Sequence, residues 1–115
     1  MPKIVTLNRN GYFRRAYTRG KAYTDPALVT YVIRNGAGIC RIGITTSKKI
    51  GNAVERNRSK RVIKAAFNEL VKDIPPCYDF VFVARSKTKY LKSTKIKEIM
   101  EGIFKDAAVI VKDEG

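Results

Sequence analysis

The stretch from Lys48 to Lys64, KKIGNAVERNRSKRVIK, does most to limit what this chain can become. It holds seven basic side chains against one acid, Glu55, yet runs without a break into a segment where Val62, Ile63, Ala66, Phe67, Leu70 and Val71 recur at helical spacing. A disordered basic tail has no such apolar register. The charge therefore rides on a helix docked against a core, and Gly51-Asn52 turns the chain into it from a preceding strand. On a wheel of about 100° per residue, Ser59, Ile63, Ala66, Phe67 and Leu70 gather on one side, with Asn57, Arg58, Arg61, Lys64 and Lys72 opposite. Arg56 falls on the apolar side, one turn before the core residues begin, where it can reach around the helix end toward the sheet. Arg58 and Arg61 are expected to face outward. The pattern spans Ala53 to Lys72, and Pro75-Pro76 bars any extension.

The 115 residues suit one domain, 1–115, and are enough to bury a core without staples. Lys and Arg number 24 against 10 acids, a formal charge of +14 that points to a polyanionic partner. The excess is concentrated: residues 1–24 carry six bases and no acid, whereas the last 23 residues carry four Lys against five acids. The C-terminal segment therefore reads as scaffold. A merely solvated charged face would alternate signs, and between Lys48 and Lys64 only Glu55 does so. Histidine is absent and Cys40 and Cys77 stand far apart in apolar settings, which excludes the usual zinc patterns and suggests core thiols in a reducing cytosol. Apolar runs reach only five residues and no signal-peptide pattern opens the chain, so a soluble cytoplasmic protein without a membrane partner is expected.

Around the basic helix, the remaining elements read as follows. Asn8 or Asn10 can cap a first helix from about Gly11 to Thr18, stopped by Gly20. Phe13 and Tyr17 share one face of it, either as core or, beside Arg14, Arg15 and Arg19, as a platform on which bases stack. Ala27 to Arg34 reads as a strand with Val29, Tyr31 and Ile33 on one face. Asn35-Gly36-Ala37-Gly38 reads as a hairpin connection to a partner strand, Ile39 to Thr46. There Cys40, Ile42 and Ile44 oppose Arg41, Gly43 and Thr45, the less apolar face. Tyr78 to Arg85 is nearly continuous apolar sequence and reads as a central strand. Ser93 or Thr94 can cap a last helix, in which Ile96, Met100, Ile103 and Phe104 recur at core spacing. The order is α-β-β-α-β-α, with one further short strand near Tyr23: an α+β chain in a single compact domain.

Autonomous catalysis has little to work with. The carboxylates are scattered, histidine is missing, and no catalytic residue is assigned. A magnesium site needing one or two carboxylates and RNA phosphates stays open, with its ligands unknown. Binding is better supported, since a rigid helix presenting several Lys and Arg side chains neutralises phosphates and orients the polyanion.

One segment narrows the choice of polyanion. Ala53-x-x-Arg56-Asn57-Arg58-x-Lys60-Arg61-x-x-Lys64 closely resembles the signature of the bacterial ribonuclease P protein component. Thr45 to Ala53 is similar to that family's strand-to-helix crossing. Leu7, Phe13, Tyr17 and Gly20 fall at the spacing of its first helix, and Phe82-Val83-Ala84-Arg85 looks like its last strand. Ser59 departs from the pattern, which usually has an aliphatic residue there; its hydroxyl is expected to bond a carbonyl one turn back. The resemblance implies a ribosomal protein S5 domain 2-like fold with a left-handed βαβ crossover, against the usual hand. It implies a non-catalytic subunit of an endoribonuclease, in which an RNA subunit hydrolyses precursor tRNA using Mg2+. Arg56, Asn57, Arg58, Lys60, Arg61 and Lys64 would bind the RNA subunit. Phe13, Tyr17, Tyr31, Lys48 and Arg85 would line a cleft for the single-stranded 5′ leader of precursor tRNA, and no obligate protein partner is inferred. The rival readings are another RNA-binding module, such as a ribosomal protein or RNA chaperone, and an autonomous nuclease.

Overall fold

The computed structural model of the chain describes residues 4–6 and 10–110. In chain order the elements are β1 (Ile4–Thr6), α1 (Asn10–Arg19), β2 (Lys21–Asp25), β3 (Leu28–Arg34), β4 (Cys40–Thr45), α2 (Ala53–Leu70), β5 (Tyr78–Ala84) and α3 (Ser93–Asp106). Short 3-10 turns occupy Lys48–Ile50, Val71–Asp73 and Ser86–Tyr90. The five strands form one mixed sheet in the order β1-β4-β5-β3-β2. β5 lies at its centre, parallel to β4 and antiparallel to β3, and α2 connects the parallel pair β4 and β5.

Three expectations are corrected. The chain opens with a strand, β1, ahead of the first helix, so the order is β-α-β-β-β-α-β-α. A three-residue strand paired only through its parallel neighbour β4 leaves no periodic trace in sequence. The second correction concerns the hairpin: β3 and β4 do not pair with each other, because β5 lies between them. Strand spacing is about 4.8 Å, so residues 35–39 need step over only ~10 Å, well within their reach. Turn chemistry promised a hairpin, but the most apolar strand requires cover on both edges and both faces, and only the centre provides that. The loop is instead pinned to β5, where the Asn35 amide N–H donates to the Cys77 carbonyl at 2.7 Å. Third, neither Ser93 nor Thr94 caps α3; Lys92 occupies that position and makes no side-chain capping bond. The strand expected near Tyr23 is β2. The proposed caps of α1, Asn8 and Asn10, and Leu7 lie outside the residues whose side chains are described.

The pairing register sorts the two faces of the sheet. Leu28, Val32, Cys40, Ile42, Phe80 and Phe82 face α2 and α3 and form the main core with Ile63, Phe67, Leu70, Ile96, Met100 and Phe104. Its centre is aromatic: the Phe80 ring lies 4.8 Å from Phe104 and 5.7 Å from Phe67, centroid to centroid. α1 covers part of the other face, where Ala16 and Val81 are buried with Tyr12, Phe13, Tyr31 and Val83 packed around them. That face also carries Val29, Gly43 and Thr45 by register. A part-buried ion pair braces it. Arg41 donates from Nε and Nη2 to the two oxygens of Asp79, at 2.7 and 2.8 Å, and Asn35 Nδ2 donates to the same carboxylate at 2.6 Å. Hydrogen bonding to Asp79 pushes the Arg41 pKa further up, and the guanidinium sits 5.1 Å from the Tyr12 ring centroid, tying α1 to the sheet.

Candidate nucleic-acid interface

The basic helix is oriented by its entry. β4 ends at Thr45, and Ser47 then caps the 3-10 turn by accepting from the Lys49 amide. Gly51 has φ 141°, and a Cβ there would run into the Glu55 carboxylate, so this position needs glycine. Asn52 and Glu55 form a reciprocal capping box: the Glu55 amide donates to Asn52 Oδ1 at 2.9 Å, and the Asn52 amide to Glu55 Oε1 at 3.1 Å. The backbone hydrogen bond from Asn52, then the charge of Lys89, hold the Glu55 carboxyl below its ordinary range. The single acid of the basic run is thus occupied in closing the helix start and pairing with Lys89 at 3.5 Å.

Beyond that start, Asn57, Arg61 and Lys64 are exposed along α2, as their wheel positions predict, and Lys60 is exposed beside them. Ser59, Ile63, Ala66, Phe67 and Leu70 are all buried on the opposite side. The Ser59 hydroxyl donates to the Glu55 carbonyl at 3.0 Å, so an otherwise buried polar atom is satisfied one turn back. Arg56 is half-buried and reaches back around the helix start, where Nη1 donates to the Gly51 carbonyl at 3.0 Å.

Arg58 corrects the wheel. It does not face outward but is half-buried, with Nη1 donating to the Lys89 carbonyl at 2.7 Å and Nη2 approaching the Leu91 carbonyl at 3.5 Å. The wheel assumes one contact, that with the sheet, whereas the segment after β5 folds against the first turns of α2 from the side. That segment is the feature the motif does not reveal. Residues 85–92 hold Arg85, Lys87, Lys89 and Lys92 and no acid. Buried Thr88 anchors the turn by donating to the Ala27 carbonyl at 2.6 Å and accepting from the Arg85 amide. Its run of bases is visible in sequence, but its place beside α2 is not.

Across the sheet, Phe13 is half-buried against Ala16 and Val81, and Tyr17 stays 43% exposed. Tyr17 meets Tyr31 edge-on, with centroids 4.9 Å apart and planes at 74°. These three rings therefore share one face, and Tyr17 keeps one side toward solvent. Lys48 and Arg85 are both exposed just past the ends of the parallel strands β4 and β5. A shallow pocket of about 190 Å³ there is lined by Ser47, Lys49, Ile50, Ala84, Arg85 and Ser86, so Lys49, not Lys48, shares it with Arg85.

The arrangement offers cations and aromatic rings as contact surface. Among the described residues no three His, Cys, Asp or Glu side chains come together as metal ligands. Burial, then the charge of Asp79, push the Cys40 thiol up to about 12, which keeps it protonated and inert. Among the described residues no helix is long and apolar enough to cross a membrane. What the fold presents is an ordered row of cations on α2 and, on the other side of the sheet, exposed aromatic surface flanked by Lys and Arg.

Residues 1–108 match the family model described as Ribonuclease P. The ribonuclease P protein component of Clostridium novyi (strain NT) is 39% identical over 111 residues, covering 95% of this chain and 98% of that one. Its counterpart in Shouchella clausii is 33% identical over 111 residues, covering 96% of this chain and 91% of the relative. Among solved structures, the RNase P protein of Staphylococcus aureus superposes with a TM-score of 0.82 at 32% identity, covering 94% of this chain and 99% of that one. That of Thermotoga maritima superposes with a TM-score of 0.78 at 25% identity, covering 88% and 96%.

Proposed function

Because the chain belongs to the ribonuclease P protein family, we propose that it binds the catalytic RNA subunit of ribonuclease P through α2 and the 5′ leader of precursor tRNA through the face covered by α1. In this assignment the RNA carries out the magnesium-dependent cleavage that yields the mature tRNA 5′ end. The observation that carries it is the capped, rigid α2, which holds Asn57, Lys60, Arg61 and Lys64 exposed on one side while its own acid is tied up at the helix start. Cations fixed in this way neutralise phosphates without first having to be ordered, and so they set the register of the bound RNA. Arg56 and Arg58 lend charge from half-buried positions at the edge of this row. Arg58 also holds the 3-10 turn at Ser86–Tyr90 against the helix.

The leader would lie across Phe13, Tyr17 and Tyr31, with its phosphates drawn to Lys48 and Arg85. Rings stack on unpaired bases with little regard to sequence, which suits a leader that differs from one tRNA to the next. Magnesium would be held chiefly by RNA phosphates: the described residues assemble no donor cluster, and no step of the reaction is assigned to a protein-bound ion. The protein's part is to lower the repulsion between two RNAs and to position the substrate.

The test is reconstitution. Added to a bacterial ribonuclease P RNA at low magnesium, the protein should increase correct 5′ cleavage of precursor tRNA, while protein alone should cut nothing. An unchanged rate and an unchanged magnesium requirement would refute the assignment.

A further inference from the structure

Three large apolar or aromatic side chains stand exposed among the described residues: Tyr17 at 43%, Val54 at 74% and Tyr90 at 75%. Tyr17 belongs to the aromatic face beneath α1. The other two flank the basic row on α2, on the opposite side of the sheet. Val54 lies in the first turn of α2, four residues before Arg58, on the same helical stripe. Tyr90 follows Lys89, whose carbonyl receives the Arg58 guanidinium and whose ammonium pairs with Glu55 at 3.5 Å. The turn that carries Tyr90 and the helical stripe that carries Val54 therefore meet at the same half-buried arginine.

Tyr90 is not on a loose loop. Thr88 is fully buried and bonded to the Ala27 carbonyl, the Leu91 amide closes the turn onto the Thr88 carbonyl at 3.1 Å, and Arg58 clamps it from the helix. The Lys89 ammonium lies 5.2 Å from the Tyr90 ring centroid. The segment that carries the ring holds Lys87, Lys89 and Lys92 and no acid, Arg58 reaches it from α2, and the one acid that meets it, Glu55, is taken up by Lys89 and the helix cap. A largely exposed ring on a pinned turn, with an ammonium beside it and further bases on its segment, suits a flat group attached to a phosphate chain. Paired bases in an A-form helix have both faces covered by their neighbours, so such a group has to be an unpaired base.

We infer that Tyr90 is a stacking site for an unpaired base of the RNA bound by α2. The inference rests on the proposed RNA-binding role of α2 and adds a contact that the basic signature lacks: cations on the helix grip phosphates, and Tyr90 reads that one nucleotide is flipped out or single-stranded.

The chain contains no tryptophan, so Tyr90→Trp places a single reporter at the site. Titrating this variant with a bacterial ribonuclease P RNA should quench its emission, and a fully paired RNA duplex of similar charge should leave it unquenched at the same occupancy. Equal quenching by both would overturn the inference. In parallel, Tyr90→Ala should weaken affinity for the ribonuclease P RNA about tenfold with the salt slope unchanged, and Tyr90→Phe should stay within about twofold of the parent. Arg61→Ala with Lys64→Ala separates this inference from the reading on which it rests. If that double variant weakens binding and flattens the salt slope while Tyr90→Ala does nothing, the stacking site is refuted and the role of α2 stands. If the double variant changes nothing, the role of α2 fails, and the stacking site with it. A concentration-dependent dimer abolished by Tyr90→Ala would also overturn the inference, because it would put a second copy of the chain on the ring. Tyr90 is exposed, so unchanged melting of each variant is expected and checks that folding does not enter the comparison.

Discussion

Arg58 and Arg61 look equivalent in sequence, and the structure separates them. Arg58→Ala removes a charged donor from the Lys89 carbonyl at 2.7 Å; the Leu91 contact, at 3.5 Å, is at the limit of a hydrogen bond and adds little. A hydrogen bond to a charged group contributes about 1.5–3 kcal/mol, and because Arg58 is only half-buried the lower end applies, about 1.5 kcal/mol. For a domain of this size that is a fall in Tm of roughly 5–8 °C. Arg61→Ala removes an exposed side chain that makes no hydrogen bond among the described residues, so stability should stay within about 0.5 kcal/mol. Binding to the RNA subunit should show another pattern. Arg61→Ala should flatten the dependence of log K on log salt by roughly 0.7 to 0.9 for a lost phosphate contact. Arg58→Ala should weaken binding as well, partly by releasing the turn that carries Lys89 and Tyr90. Arg58→Lys should not rescue stability, since a single ammonium cannot reproduce the planar fork. Urea denaturation and filter binding across a salt series measure both quantities. If Arg58→Ala unfolds at the parent's midpoint, or if Arg61→Ala is as destabilising as Arg58→Ala, the division between tether and contact is wrong.

Further perturbations test other parts of the molecule. Glu55 has a folded pKa below its ordinary value of 4.5, so the stability it contributes is complete above that value and is lost as pH falls through the folded pKa. The stability difference between parent and Glu55→Gln should therefore be constant from pH 7 down to the ordinary glutamate range and shrink below it; a difference that grows on acidification would reverse the sign. Arg41→Ala leaves the buried Asp79 carboxylate with Asn35 as its remaining side-chain donor and should destabilise by about 1.5–3 kcal/mol in denaturant titration, whereas less than about 1 kcal/mol would mean that the pair is solvated. Phe13→Ala should weaken binding of precursor tRNA more than of mature tRNA, and an equal loss for both would return Phe13 to a purely structural role.

Much of this was legible from residue order because it depends on local periodicity. Ser59, Ile63, Ala66, Phe67 and Leu70 are buried where a 3.6-residue period puts them, and Cys40 and Ile42 oppose Arg41 and Thr45 because strands alternate. The charged helix and the apolar β5 were readable for the same reason, and the bond from Ser59 to the carbonyl one turn back was readable from its place near the helix start. The residues around the site were harder. A wheel knows one neighbour, so it put Arg58 outward when a second element packs against its flank. Turn chemistry knows only the residues it joins, so Asn35 to Gly38 read as a hairpin although β5 separates the strands on either side.

The amino-acid sequence alone thus determined which segments form the helices and, β1 apart, the strands, which of their faces are apolar, and that an ordered cationic helix is exposed. Tertiary structure decided strand order, the pairing of Arg41 with Asp79, and the meeting of α2 with the turn that carries Lys89 and Tyr90. These are contacts between residues 31 to 38 positions apart or strands far apart in the chain, chosen by competition to bury the most apolar strand, and no local pattern encodes the outcome of that competition.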